Sequence, residues 1–373
     1  MINSIGYGGA ERVLASILTA AESQAYDVHL IILDDEPARR DMPKIGKQHI
    51  LDARGKLWRS LRQLRGLLRE LRPDLVVSFL VRANVASAIA ARSLGIPVIL
   101  CERMHLSSHF RLKHRGLKRL GARAGPRLTY RFGDIVLGVS EGVSRDLVEA
   151  FGIAKAKVRT VNNPYDLQAI REAATFPPEF LLPDRFIVAS GRLEPGKNFA
   201  SLIRAYHIAG APHPLVILGE GALRRDLEAL LAELGLQDRV LLPGYAARPF
   251  AIVGRAEMFV SSSLNEGFPN AMVEAMVLGV PVIATDCCSG PAEILGSVAG
   301  TVDRVTFSKF GILVPQAGDS ALAEAITALA NQDMRACYSK RARERSQDFE
   351  AWRINRQYLA LFAELLALRV ERA

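Results

Sequence analysis

Cysteine is scarce. Cys101, Cys287, Cys288 and Cys337 are the four in 373 residues. None has the paired spacing of a metal site, and the adjacent Cys287 and Cys288 are badly placed to bond each other. A disulfide-stapled scaffold is therefore not expected, and the thiols suit a reducing compartment. Long apolar runs are also missing: none approaches the roughly 18–20 residues a membrane-spanning helix needs. The opening residues lack the basic and then apolar segments of a secretory leader. Acids are rare in one region. Residues 55–131 hold 17 Lys plus Arg against Glu70, Asp74 and Glu102, a balance of +14, so with +9 overall the rest sums to −5. Such a field attracts an anionic membrane surface, a diphosphate-bearing substrate or nucleic acid, and composition does not choose among them.

What is present is globular. A 49% hydrophobic and 23% charged composition excludes a disordered chain, and the length suits two domains. Short β-branched runs alternate with helical patterns. Residues 28–33, 75–79, 98–101 and 135–139 read as buried parallel strands, with helices over 57–71, 83–93 and 142–150 and Ser140 as an N-cap. After Asn162-Asn163-Pro164 and the prolines 177, 178 and 183, the alternation restarts at 186–189, 215–218, 240–242, 258–260 and 280–284. The expected fold class is α/β, two doubly wound parallel-sheet (Rossmann-like) domains facing across a cleft. The boundaries are 1–166, a linker at 167–184, 185–349, and a C-terminal helix in 350–373 that can pack back onto the first domain. The cleft is the default ligand site.

Several segments can carry chemistry. After the strand at 258–260 come Glu266, Gly267, Phe268, Pro269, Asn270 and, eight positions after Glu266, Glu274. Pro269 suits the first turn of a helix, whose free N–H groups form a rim for hydroxyls or anions. A loop carboxylate and a helix carboxylate can grip one polyhydroxylated ligand, or can simply be solvated surface acids. The strand at 186–189 runs into Gly191-Arg192-Leu193-Glu194-Pro195-Gly196-Lys197-Asn198, where Arg192 and Lys197 offer a fork and a point charge for a diphosphate. The Gly-Lys-Ser/Thr ending of a Walker loop is absent there. Gly219-Glu220-Gly221 and Gly6-Tyr7-Gly8-Gly9-Ala10-Glu11-Arg12 are further glycine turns, equally compatible with close packing.

Together these pieces resemble family 4 glycosyltransferases of the GT-B fold. The resemblance rests on Gly191-Arg192-Leu193 with Lys197-Asn198, Gly219-Glu220-Gly221, the Glu266/Glu274 pair, Gly279 to Asp286 and Gly311 to Pro315, in the family's order. It also includes Val139 to Val143 and Asn163-Pro164, and Ser289 to Ile294 resembles members that build bacterial surface polysaccharides. The resemblance implies a retaining hexosyltransferase that moves a sugar from a nucleotide-sugar donor to a glycan, lipid-linked through a polyprenyl diphosphate. Arg192 and Lys197 would neutralise the donor diphosphate, Glu274 would bind the ribose, and Glu266 would contact the sugar beside Gly267, Phe268, Pro269 and Asn270. Gly8 and Gly9 would approach the diphosphate, and Tyr245 the base. It implies no cofactor and no metal, the two cations replacing an Asp-x-Asp site. Members often place a first-domain histidine near the sugar. His105 stands after the strand at 98–101 in a different motif, as a site residue or an acceptor contact. The sequence departs at its opening, where only Met1 to Ile5 precede Gly6 instead of a full apolar strand, which puts activity itself in question.

Residues 110–120 alternate apolar and basic side chains, with Arg123, Arg127 and Arg131 following. As one helix they would lie on an anionic bilayer, or be a solvated basic face. Nucleic acid is not expected, because no zinc spacing, aromatic platform or helix-turn-helix accompanies the charge. The implied location is cytoplasmic, peripheral at the inner face of the cytoplasmic membrane. The competing readings are a non-catalytic membrane-associated protein of this fold and a sugar-nucleotide epimerase.

Overall fold

The computed structural model describes residues 1–5, 9–23, 26–35, 47–114, 116–316 and 318–370. The chain opens with α1 (Gly9–Ser23), β1 (His29–Ile32), β2 (Lys47–Ile50), α2 (Leu57–Leu71), β3 (Val76–Phe79) and α3 (Val81–Leu94). It continues through β4 (Val98–Glu102), α4 (Leu106–Lys113), α5 (Gly116–Thr129), β5 (Ile135–Gly138), α6 (Glu141–Glu149) and β6 (Val158–Thr160). Next are α7 (Leu167–Ala174), β7 (Ile187–Ser190), α8 (Phe199–Ala209), β8 (Leu215–Leu218), α9 (Arg224–Glu233), β9 (Val240–Gly244) and α10 (Pro249–Val253). Then come β10 (Met258–Ser261), α11 (Asn270–Val277), β11 (Val282–Thr285), α12 (Pro291–Leu295), β12 (Thr306–Phe307) and β13 (Ile312–Val314). Three helices close the chain, α13 (Asp319–Ala328), α14 (Gln332–Ser346) and α15 (Ala351–Val370). The chain divides into two units, Met1–Pro164 with the segment from Ala351, and Tyr165–Glu350.

Unit 1 holds the parallel order β3-β4-β5-β6 and the parallel pair β1-β2. Residues Met1 to Asn3 fill the space between β1 and β3. Ile2 N donates to Ile31 O at 3.0 Å and Leu33 N to Ile2 O at 3.1 Å on one side. On the other, the Met1 amine donates to Val77 O at 2.7 Å and Phe79 N to Met1 O at 3.0 Å. The short opening segment thus satisfies the pairing groups of both neighbours. The core on one face joins Ile2, Leu30, Phe79, Ile99 and Leu137 to Ile354, Tyr358, Phe362 and Leu365 of α15. Those four recur at helical spacing, one apolar stripe seated in unit 1.

Unit 2 is a seven-stranded sheet, β12-β13-β11-β10-β7-β8-β9, parallel except for β12 against β13. From β7 the chain moves one way to β8 and β9, then returns to build β10 and β11 on the other side. The order therefore reverses between β7 and β10, the place where such sheets hold ligands.

Three expectations are corrected. Residues 167–174 are not linker but helix α7, capped by Asp166 Oδ1 on Ala169 N at 2.9 Å, with Leu167 and Ile170 buried in unit 2. Residues 110–120 are not one helix. His114 is extended (φ −131°, ψ 143°), Gly116 takes φ +54°, and α4 and α5 are separate. Arg115 lies outside the described residues. Pro269 is the N-cap of α11 (φ −71°, ψ 102°), one position before the first turn.

Candidate functional site

The loops after β7 and β10 are tied together. Leu264 N donates to Gly196 O at 2.8 Å, and Ser262 Oγ to Lys197 O at 2.8 Å. This brings Lys197 Nζ to 2.5 Å from Glu266 Oε1, which also accepts Ser263 Oγ at 2.7 Å. Both side chains of the ion pair are largely shielded, so the pair is only weakly screened. From the end of the neighbouring strand Thr285 Oγ1 donates to Ser263 O at 2.6 Å, and from the loop after it Ser289 Oγ donates to Glu266 O at 2.5 Å. Glu266 is thus fixed at both its carboxylate and its carbonyl.

Asn198 is held at φ +52°, a left-handed conformation that asparagine tolerates, and this turns the Lys197 loop into α8. Gly219, at φ +141°, packs so tightly behind that loop that a Cβ would collide with the Gly191 carbonyl oxygen. Its N–H donates to Gly244 O at 2.8 Å, which sets Tyr245 at the carboxyl end of β9, half exposed. Gly267, Phe268, Pro269 and Asn270 lead into α11. Phe268 is buried edge-on against Phe349, and Asn270 Oδ1 accepts Tyr165 Oη at 2.6 Å. Glu274 lies buried one turn inside α11.

Arg192 sits on the same loop as Lys197 but outside the cluster. Its side chain is 78% exposed and pairs with Glu194 at 3.1 Å, open to an incoming anion. Gly9 opens α1 in unit 1, and Gly8 lies outside the described residues. Among the described residues, no three His, Cys, Asp or Glu side chains converge as a metal site.

His105 is the N-cap of α4, its Nδ1 accepting Ser108 N at 3.3 Å. An acceptor at Nδ1 puts the neutral ring's proton on Nε2. Burial holds the imidazole below its ordinary value, against the opposing pull of Asp146, whose Oδ2 stands 3.8 Å from Nδ1. Three positions earlier, Glu102 is fully buried and pushed up to about 7 by burial. Hydrogen bonds from Tyr130 Oη at 2.8 Å and from the amides of Arg103 and Met104 oppose that rise.

Sequence reasoning missed Ser263 and Ser289 as the partners that fix Glu266. The run Ser261-Ser262-Ser263 at a strand's carboxyl end was the available signal. Ser289 approaches Glu266 only through tertiary structure.

Comparison with known proteins follows the same division. The family described as Glycosyltransferase Family 4 matches residues 7–169, and Glycosyl transferases group 1 matches residues 171–345. A Campylobacter jejuni protein is 31% identical over 369 residues, 96% of this chain and 97% of that one. It is named N-acetylgalactosamine-N,N'-diacetylbacillosaminyl-diphospho-undecaprenol 4-alpha-N-acetylgalactosaminyltransferase. The Anabaena protein HepE in complex with UDP-glucose aligns with a TM-score of 0.75 at 21% identity, over 97% of this chain and 98% of that one. Sucrose-phosphate synthase from Thermosynechococcus elongatus aligns with a TM-score of 0.80 at 19% identity, over 98% and 96%. At such identities the two structural likenesses speak for the fold.

Proposed function

The chain belongs to the family 4 glycosyltransferases of the GT-B fold, and on that premise we propose that it moves a sugar from a nucleotide-sugar donor to a polyprenyl-diphosphate-linked glycan, with retention at the anomeric carbon. One observation carries the donor half: Lys197, Glu266, Ser263 and Ser289 converge where the strand order of unit 2 reverses. A cation and a fixed carboxylate at that point suit a diphosphate and the sugar it carries. In the transfer, the acceptor hydroxyl bonds to the anomeric carbon and the bond from that carbon to the donor phosphate breaks. The hydroxyl proton leaves on the phosphate oxygen. Negative charge grows on the diphosphate, and Lys197 and Arg192 stand ready to oppose it without a metal. Glu274 binds the ribose hydroxyls and Glu266 the sugar. The amides from Gly267 to Asn270 add donors, and Tyr245 lies toward the base. In unit 1, the resemblance gives Gly9 a role toward a phosphate and His105 one toward a sugar hydroxyl, for which its Nε2–H is a donor.

The acceptor reading is supported by the Campylobacter relative, whose name specifies an undecaprenyl-diphosphate substrate, and by the basic unit 1. Leu112, Leu117 and Leu120 are exposed on α4 and α5 among Arg111, Lys113, Lys118 and Arg119. Such surfaces suit an anionic bilayer, with the protein peripheral at the cytoplasmic face. Among the described residues no helix is long and apolar enough to cross a membrane. The test is a panel of UDP-, GDP- and ADP-sugars with a synthetic polyprenyl-diphosphate-linked glycan, run with and without chelator. Transfer that survives chelation and is lost in Glu274→Ala supports the reading. No turnover of any donor sinks it.

A further inference from the structure

One guanidinium nitrogen of Arg103 is buried without a partner. The residue follows β4, and its Nη1 donates to Tyr358 Oη at 3.0 Å. The guanidinium carbon lies 6.0 Å from the centre of the Phe79 ring. Nη2 is buried and has no hydrogen-bond partner. The adjacent carboxylate is committed elsewhere: Glu102 Oε1 takes the amides of Arg103 and Met104, and Oε2 takes Tyr130. A buried charged donor with no acceptor is costly, and arginine cannot escape by shedding its proton as lysine can. The residue as a whole is only half-buried, so part of its side chain meets solvent although Nη2 itself is covered.

The position gives this orphan meaning. In unit 1 the strand order reverses between Met1–Asn3 and β3, so ligands are expected at the carboxyl end of β3. Phe79, under the Arg103 fork, ends that strand. The next residue, Leu80, is held at φ +76°, ψ 147°, a conformation almost restricted to glycine. Backbone strain of this kind concentrates at ligand sites. The surrounding stretch is the strongly basic one, which draws anions toward it.

We propose that Arg103 is an anion receptor at the carboxyl edge of β3 and β4, taking a phosphate oxygen of a substrate diphosphate on Nη2. Assigning the anion to a substrate rests on the transferase reading; the receptor itself does not. The diphosphate is that of the acceptor or that of the donor, and the two sources separate by experiment.

The first arm uses inorganic diphosphate as the probe, titrated calorimetrically into the full chain carrying Arg192→Ala and Lys197→Ala, which removes the two cations of the loop after β7. Diphosphate still binds this background, and adding Arg103→Met weakens it roughly tenfold or more, whereas Arg103→Lys keeps most of the affinity. Absence of binding in the background, or an affinity indifferent to Arg103→Met, overturns the proposal. Should Arg103→Met lose its thermal transition, Arg103→Gln takes its place, since it retains a polar contact for Tyr358. The second arm is kinetic, in the otherwise unaltered enzyme. A rise in acceptor KM with UDP inhibition unchanged places the acceptor diphosphate on Arg103; weakened UDP inhibition with acceptor KM unchanged places the donor's there. If the unaltered enzyme turns over no nucleotide sugar, the transferase reading fails while the calorimetric arm still decides the receptor.

Discussion

The two units handle the polar groups at their strand reversals in different ways. In unit 2, Lys197 meets Glu266, Ser263 and Ser289 lock that carboxylate, and Gln316 Nε2 closes on Leu264 O at 2.5 Å. Its left-handed backbone positions, among the described residues, fall on glycine or on Asn198. In unit 1, Arg103 keeps an unmet donor and Glu102 sits buried near neutrality. Left-handed φ falls there on Arg54, Arg72 and Leu80 as well as on glycine. At the reversal of unit 2 the cation and carboxylate are paired before any ligand arrives, although Asn265 Oδ1 and Asp286 Oδ1 are also buried without a partner; at that of unit 1 the unmet group is a cation, beside a strained backbone. Preorganised donors suit a fixed diphosphate, because they cost no rearrangement during reaction.

Lys197→Ala attacks the paired cation of unit 2 and has the largest expected effect. It lowers kcat/KM by about 10²–10³-fold, the scale of removing one group that stabilises developing charge. A loss under about threefold, well below that scale, would remove Lys197 from the machinery. Glu102→Gln tests unit 1 through pH. The folded-state value near 7 lies above the ordinary 4.5, so stability from this group is present at low pH and drains away as pH rises between them. The loss is about 3 kcal/mol across that window. Urea midpoints at pH 5 and pH 8 should diverge in the native protein and converge in Glu102→Gln; an unchanged slope removes Glu102 as its cause. The smallest effect comes from exchanging the two styles of backbone. Arg72, exposed at the C-cap of α2 with φ +47°, becomes about 0.5–1 kcal/mol more stable as glycine. Gly210→Ala, at φ +55° after α8, should move thermal stability by a similar amount the other way.

Legibility in the sequence follows burial. Helix α2 was readable end to end, because Leu64 and Leu68 face the core and arginines face water. The Ser140 cap was also readable, and its Oγ accepts Val143 N at 3.3 Å. Strands β2 and β6 were missed: Lys47, Gln48 and Ile50 are exposed and Val158 to Thr160 barely covered, so neither leaves an apolar imprint. The linker was placed too late because Pro177-Pro178 punctuate more loudly than Asp166, the cap that starts α7. The chemistry of Arg192, Lys197, Glu266 and Glu274 was legible through resemblance. That Lys197 sits in the ion pair while Arg192 faces solvent depends on side-chain placement, which motif spacing does not encode. Arg103 meets Tyr358 across more than half the chain, beyond any local pattern.

The return of α15 to unit 1 has a consequence for biosynthesis. A ribosome makes the strands of the first unit before unit 2, yet Ile354, Tyr358, Phe362 and Leu365 of the first unit's core are added only after unit 2. Unit 2, complete by Glu350, has all its residues before unit 1 does. The N-terminal half therefore waits on the nascent chain with a greasy groove uncovered, a window for chaperone capture or misassembly. A premature stop after Glu350 would leave the second unit's sequence whole and deprive the first, whose own messenger segment had been translated without error.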